Sequence, residues 1–179
     1  ITEHAFQLYF EKRCAMGFKW QDDPAIVKKA WAQPERGRMA AFRKFAEKTR
    51  SPFVKVGLEV DLYDKGKLLL APEDMDAGWD ILIGAIHCVQ GFVPDKTSQK
   101  EAESLFMRDI EMMVVHDIDV LAHPFRFFER NRLKRPKHLY PVIAGLLADC
   151  GIAVEVNYHI NQPDAEFIRI CHEKGVSIA

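Results

Sequence analysis

The chain has 179 residues, of which 48% are hydrophobic and 28% charged, and this length and composition indicate a globular domain with a buried core. Lys and Arg number 25 and Asp and Glu 26, so the formal net charge of −1 excludes a general attraction to nucleic acid or to an anionic membrane. The four cysteines lie far apart, and the sequence has neither a signal-peptide pattern nor a membrane-spanning apolar run. We therefore expect reduced thiols, a cytoplasmic location and no membrane partner.

The predicted elements begin with the end of a strand at residues 1–2, followed by a helical pattern over residues 5–19. A second helix begins near Pro24, and Pro34 should break it before a further helix over residues 35–48. Beyond it the predicted strands are 53–62, 80–87, 120–122, 152–157 and 176–178, the predicted helices are 97–115, 138–150 and 163–174, and a turn is predicted at 65–66. A capping box of Thr97 or Ser98 with Glu101 marks the start of one of these helices, and Gly151 marks the end of another.

The alternation of apolar strands and helices predicts an α/β fold. Strands that are continuous apolar runs, each followed by a helix, indicate a parallel sheet with both faces covered. This leaves a doubly wound sheet or a (β/α) barrel. The sequence contains neither GxGxxG nor GxxxxGK[ST], the phosphate-binding loops of doubly wound nucleotide-binding proteins. The polar residues at the strand ends favour the barrel.

Polar side chains stand at or near the carboxyl end of each predicted strand. In chain order they are Glu3 and His4, Glu59 and Asp61, His87, His123 and Asn157. In a (β/α) barrel these ends converge on one face, which is where catalytic groups lie. Neutral imidazoles that meet a carboxylate there suit a divalent ion such as Zn, Mn or Fe.

Each of these residues has a simpler reading when it is taken alone. A histidine at a strand end is more often a hydrogen-bonded structural residue than a ligand, and Glu59 could be a solvated edge residue. The apolar neighbours of Glu59 instead indicate a buried strand, where a carboxylate needs a partner. The other histidines, His116, His138, His159 and His172, fall on helices, helix ends or loops, and we assign them no ligand role. Three successive strands that deliver Glu, His and His to one rim favour the metal site.

Five segments in this order resemble motifs of the polymerase and histidinol phosphatase (PHP) family. They are Ile1–His4 (TDH or TEH motif), Val56–Asp61 (GxE), Asp80–His87 (GSxH), Asp119–Pro124 (DxxxHP) and Ala153–Asn157 (xEINx). The resemblance implies a distorted seven-stranded (β/α) barrel that is incomplete in this chain, with residues 1–179 as a single PHP-like domain. The family's opening HxH and closing DxH motifs would belong immediately before Ile1 and immediately after Ala179, so the first and last metal-binding segments are expected to be missing.

The resemblance also implies roles for single residues. The complete domain would hold up to three divalent ions, with Glu59 as a carboxylate that bridges two of them. His87 and His123 would complete the ligands of one of those ions, and His4 would bind another. Three further residues, Glu3, Asp61 and Asn157, would orient ligands or bound water.

The function that follows is hydrolysis of a phosphate monoester by metal-activated water. Residues 123–128 resemble the corresponding segment of histidinol-phosphate phosphatases, which favours a small phosphorylated substrate. Arg126 would bind the phosphate bidentately, although it could equally be part of a solvated basic stretch that runs to Lys137. One alternative is a PHP-type nuclease or exonuclease, with that basic stretch as its groove for nucleic acid. The other is a catalytically degenerate PHP domain with a regulatory role and little bound metal.

Overall fold

The computed structural model describes residues 1–32, 37–158 and 163–179. Its strands are β1 (Thr2–His4), β2 (Gly57–Val60), β3 (Leu62–Tyr63), β4 (Lys67–Leu68), β5 (Ile81–Gly84), β6 (Val120–Leu121) and β7 (Ala153–Val154). Its helices are α1 (Ala5–Tyr9), α2 (Lys12–Ala15), α3 (Pro24–Trp31), α4 (Arg38–Thr49), α5 (Pro72–Met75), α6 (Gln99–Met113), α7 (Arg126–Arg130), α8 (Tyr140–Cys150) and α9 (Ala165–Glu173). The contacts divide the chain into two compact units, residues 1–83 and residues 84–179.

Five of the strands form one mostly parallel sheet in the order β1-β2-β5-β6-β7. The predicted α/β class with parallel strands is therefore confirmed. The predicted seven-stranded barrel is not observed, because in the described part of the chain the sheet has five strands and β1 lies at its edge with no further strand beside it. The strand predicted at 176–178 contributes only a single parallel bridge between Val154 and Ile178.

The strand predicted at 53–62 is shorter in the structure and begins at Gly57. Phe53 is 96% exposed in a turn in which the Ser51 hydroxyl accepts from the Val54 N–H, so it does not enter the sheet. Gly57 opens β2 because a Cβ at this position would lie 2.0 Å from the backbone oxygen of Ile81 in β5. Only a residue without a side chain lets these two strands approach so closely.

After β2 the chain turns back on itself as a hairpin. Leu62 pairs with Leu68 in the antiparallel β3–β4 ribbon, which is separate from the main sheet. The turn between the two strands has positive φ at Asp64, Lys65 and Gly66, with the largest value, 94°, at the glycine. The predicted turn is confirmed. Its positive φ values are incompatible with extended backbone, so no strand can continue through residues 64–66.

The predicted helix over residues 5–19 is two short helices, α1 and α2, followed by a turn of 3₁₀ helix. Phe10 separates α1 from α2 in extended conformation (φ −115°, ψ 146°), and its ring stacks on Trp20 with the ring centroids 5.5 Å apart. The free energy gained by burying these two aromatic side chains in the core of residues 1–83 therefore outweighs the local helix propensity of the segment. Helix α3 begins at Pro24 as predicted, whereas the predicted break at Pro34 lies outside the described residues.

Helix termini in residues 84–179 agree with the local signals. Ser98 caps α6, and its predicted capping box with Glu101 is present. Gly151 ends α8 with φ 69°, and Asp164 caps α9 by accepting from the first backbone N–H groups of that helix. Within the described ranges no helix combines the length and the apolar character that crossing a lipid bilayer requires.

Candidate metal centre

His4 and Glu59 form a pair at the carboxyl end of β1 and β2. In the parallel register His4 lies directly opposite Glu59, so their side chains project on the same face of the sheet. The His4 Nδ1 and Glu59 Oε1 atoms are 3.3 Å apart, and the side chains are 31% and 16% exposed. The fold thus brings together two of the residues that the sequence placed at strand ends.

The surroundings of His4 are strongly acidic. The hydrogen bond with Glu59 raises the pKa of the His4 imidazole; burial opposes this, and the negative charges of Glu59, Asp61 and Glu3 add to it. Asp61, predicted to support the site, is 1% exposed, whereas Glu3 is exposed. Carboxylates that stabilise a positive charge on an imidazole provide the same field for a bound cation, which would displace the proton from His4.

In residues 84–179 the predicted ligands His87 and His123 lie side by side. His87 follows the end of β5 by three residues and is buried, and His123 follows β6 by two and is half-buried. Their ring centroids are 5.0 Å apart at an interplanar angle of 62°. The Ala122 N–H donates to the Gly84 carbonyl at 2.8 Å, and this bond holds the two strand ends in place.

Glu155 contacts two of the predicted site residues, His123 and Asn157, and the sequence reasoning assigned it no role. One of its carboxylate oxygens accepts from the backbone N–H of His123 at 2.9 Å, and the other accepts from the side-chain amide of Asn157 at 2.8 Å. His123 has φ 26°, a left-handed conformation that is rare for a residue with a side chain. The signal was available, since Glu155 stands two residues before Asn157 on an extended segment and therefore on the same face.

Asp109 is a second residue that the sequence reasoning missed. It lies on α6, is 1% exposed and accepts from the Gln90 N–H at 2.9 Å. Arg108 completes the contact by donating to the Gln90 carbonyl at 2.6 Å and to the Asp109 carboxylate at 2.7 Å. The loop that follows His87 is thereby fixed to α6. The sequence signal was a carboxylate on the otherwise apolar face formed by Ala102, Phe106 and Met113.

Arg126, the predicted phosphate-binding residue, begins α7 and donates its backbone N–H to the His123 carbonyl at 3.0 Å. It lines a cavity of about 40 Å³ together with His123, Arg135 and Asn157. Ligand pockets for small molecules measure about 300–1,000 Å³, so the space beside His123 does not enclose a small phosphorylated substrate.

The histidines to which we assigned no ligand role lie away from these groups. His138 is exposed and its Nε2 stands 3.5 Å from a Glu103 carboxylate oxygen. His172 is exposed on α9, and His116 lies in the loop before β6. His159 falls outside the described residues.

Comparisons with known proteins give no family for this chain. No family model and no curated protein matches it. Among solved structures the chain is similar to a chain in the cryo-EM structure of archaeal ribonuclease P with mature tRNA, at 14% identity and a TM-score of 0.44. The similarity covers 99% of this chain and 71% of that chain.

This finding corrects the predicted histidinol-phosphatase-like hydrolysis of phosphate monoesters, because the similar structure is a ribonuclease P with tRNA and not a phosphatase. At this TM-score the similarity itself assigns neither a family nor an activity to the chain. Its function has to be argued from its own residues.

Proposed function

We propose that the protein is a divalent-metal-dependent phosphoesterase of the PHP type that hydrolyses phosphodiester bonds in nucleic acid. One observation carries the proposal: the His4 Nδ1 and Glu59 Oε1 atoms lie 3.3 Å apart at the carboxyl ends of the paired strands β1 and β2. Donor atoms around a tetrahedral ion lie about 3.4 Å apart when each ligand distance is about 2.1 Å, so this pair has the spacing of two ligands of one ion.

The donor set decides which ions fit. Two imidazole nitrogens and one carboxylate oxygen suit Zn, Mn or Fe better than Mg or Ca, which prefer oxygen ligands. His87 and His123, whose rings lie side by side, are the proposed further ligands, and Glu59 would bridge to another of the up to three ions in a complete PHP domain. In this proposal the five-stranded sheet is part of the distorted seven-stranded PHP barrel.

Such an ion, when bound, supplies a Lewis acid that makes water nucleophilic near neutral pH. The side chains of the protein would balance the charge of the ion, position its ligands and bind the substrate. Glu59 offsets the positive charge of the site, and Glu155 holds His123 in its strained backbone conformation. Arg126, at the start of α7, would bind a phosphate oxygen through its guanidinium group. Asn157 orients the Glu155 carboxylate through its amide.

Two features favour a phosphodiester in a polymer as the substrate. The cavity beside His123 is too small to enclose a free metabolite, as a monoester site would be expected to do. The basic stretch that continues from Arg126 to Lys137 offers further cations along the chain, whereas a small monoester needs only one or two.

The proposal is tested by Glu59→Gln, which keeps the shape of the side chain and removes its charge. We expect the variant to lose bound metal, measured by mass spectrometry of the purified protein, and to lose hydrolysis of a single-stranded oligonucleotide. Glu173→Gln, at an exposed position on α9, is the matched control and should retain both.

A Glu59→Gln variant that retains metal and activity would contradict the proposal. Wild-type protein with less than one ion per chain and no hydrolysis would also contradict it, and would favour the degenerate regulatory domain.

A further inference from the structure

The segment after α7 forms an ordered loop with two cationic side chains, which we call the basic loop (residues 131–134). The Gln99 side chain clamps its backbone: the amide nitrogen donates to the Lys134 carbonyl at 2.9 Å, and the amide oxygen accepts from the Lys134 N–H at 3.0 Å. Leu133 donates its N–H to the Phe128 carbonyl at 2.8 Å, and the Asn131 side chain donates to the Phe127 carbonyl at the same distance. The course of this loop is therefore fixed by the fold.

The cations of this region fall into two sets. The first set is neutralised by neighbouring acids: Arg135 pairs with Glu129 and Asp164, and Lys137 with Glu166. The second set consists of Arg132 and Lys134 in the basic loop. Both are exposed, and their side chains make no ion pair with any residue that the structure describes. If the basic stretch were only a solvated face, there would be no reason for its cations to divide into an ion-paired set and a set without ion pairs.

The basic loop also has a defined place relative to the residues of the candidate metal centre in the same unit. Arg126 is three residues after His123 and begins α7, and the basic loop begins where α7 ends. A five-residue helix is about 7.5 Å long at about 1.5 Å per residue. This length corresponds to about two nucleotide steps of a stacked strand, at roughly 3.4 Å each.

We propose that Arg132 and Lys134 bind the phosphates of a single-stranded nucleic acid about two nucleotides away from the phosphate held at Arg126. The guanidinium group can bind a phosphate through two parallel hydrogen bonds, and the ammonium group acts as a point charge. This inference rests on the proposed phosphodiesterase function, since it names the contacts that the substrate of that site makes. It also explains how a chain with a net charge of −1 holds a polyanion: the attraction is local.

The test is the binding of a fluorescent single-stranded oligonucleotide to Arg132→Gln/Lys134→Gln in the presence of a chelator. We expect affinity at low salt to fall roughly tenfold, and the slope of log affinity against log salt to decrease by about 1.4, at about 0.7 for each lost phosphate contact. The control, Lys67→Gln/Arg169→Gln, removes the same charge from two ion-paired cations outside the basic stretch and should bind like wild type.

Equal affinities and slopes for the two double variants would overturn the inference. Equal binding of duplex DNA would overturn its single-stranded specificity, and equal competition by a polyglutamate peptide would show a general polyanion surface instead. Because the chelator removes metal from the measurement, loss of binding here reports on the basic loop alone. The metal content of Glu59→Gln reports separately on the proposed chemistry.

Discussion

The backbone of His123 adopts a left-handed conformation that a residue with a side chain rarely takes, at a cost of about 1–3 kcal/mol. Glu155 offsets this cost, because its carboxylate accepts the His123 N–H in a charge-assisted hydrogen bond. Since the direction of the imidazole follows from the backbone, Glu155 helps to set the position of His123 beside His87. At the scale of single residues, the geometry of the candidate metal centre therefore depends on this carboxylate.

Replacement of Glu155 by Gln tests this role. One of the two acceptor oxygens becomes an NH₂ group that faces either the His123 N–H or the Asn157 amide, so two donors oppose each other. We expect the affinity for Zn or Mn to fall about 10–100-fold. The free energy of unfolding should decrease by about 1–3 kcal/mol.

Metal titration and urea unfolding measure the two effects. Glu166→Gln, at an exposed position on α9, is the control and should change the metal affinity little. If Glu155→Gln lowers stability while its metal affinity stays at the wild-type value, the carboxylate is structural and does not position His123.

Among the elements, α6 has the clearest influence on the candidate site. Its apolar face, with Ala102 and Phe106, packs in the core, and Asp109 on the same face reaches the loop after His87. A helix whose start is fixed by the Ser98 capping box gives this loop a rigid support.

Removal of the Asp109 carboxylate should therefore loosen the loop that carries His87. Asp109→Ala leaves the buried Gln90 N–H without its acceptor, which costs about 1–3 kcal/mol. We expect hydrogen exchange at the Gln90 amide to become roughly tenfold or more faster, because about 1.4 kcal/mol corresponds to a factor of ten. Asp149→Ala, at the exposed end of α8, is the control. Unchanged exchange at Gln90 would exclude the anchoring role.

Elements with strong local signals were predicted well. The start of α6 depends on Ser98 and Glu101, and the end of α8 depends on Gly151; both signals act within one helical turn. The break of the predicted helix 5–19 at Phe10 depends instead on burial against Trp20, a contact that is specified by the tertiary structure. The strand predicted from Phe53 was too long for the same reason, since nothing local shows that this side chain faces solvent.

The candidate site was predictable only in part. The ends of parallel strands meet at one edge of a sheet, so the positions of His4 and Glu59 followed from the pattern of strands. The roles of Glu155 and Asp109 did not, because they depend on which backbone N–H groups lie nearby in the folded chain. The predicted monoester substrate was wrong, because candidate ligands at strand ends indicate at most a kind of chemistry and leave the substrate undefined.

At the scale of the whole molecule, an ion bound to the folded protein alone must stabilise it. At a free metal concentration of about one hundred times the Kd, the gain is about 2.7 kcal/mol. For a chain of this length about 1 kcal/mol shifts Tm by roughly 2–4 °C, so we expect Zn or Mn to raise Tm by about 5–10 °C over chelator-treated protein.

Differential scanning calorimetry with and without chelator measures this shift. Glu59→Gln should show a much smaller shift, because it lacks the carboxylate that stands beside His4 in the proposed site. An equal rise of Tm in wild type and in Glu59→Gln would mean that the ion binds elsewhere.

Gly57 is not itself a proposed ligand, yet it stands two residues before Glu59 on the same strand. The absence of a side chain at Gly57 brings β2 against the backbone of β5 at Ile81. A single methyl group there would force the two strands apart and move the Glu59 carboxylate with them. The capacity of the protein to coordinate a cation would then be limited by how closely β2 can approach β5 at Gly57. A directed-evolution library aimed at new activities should therefore keep the Gly57 codon fixed.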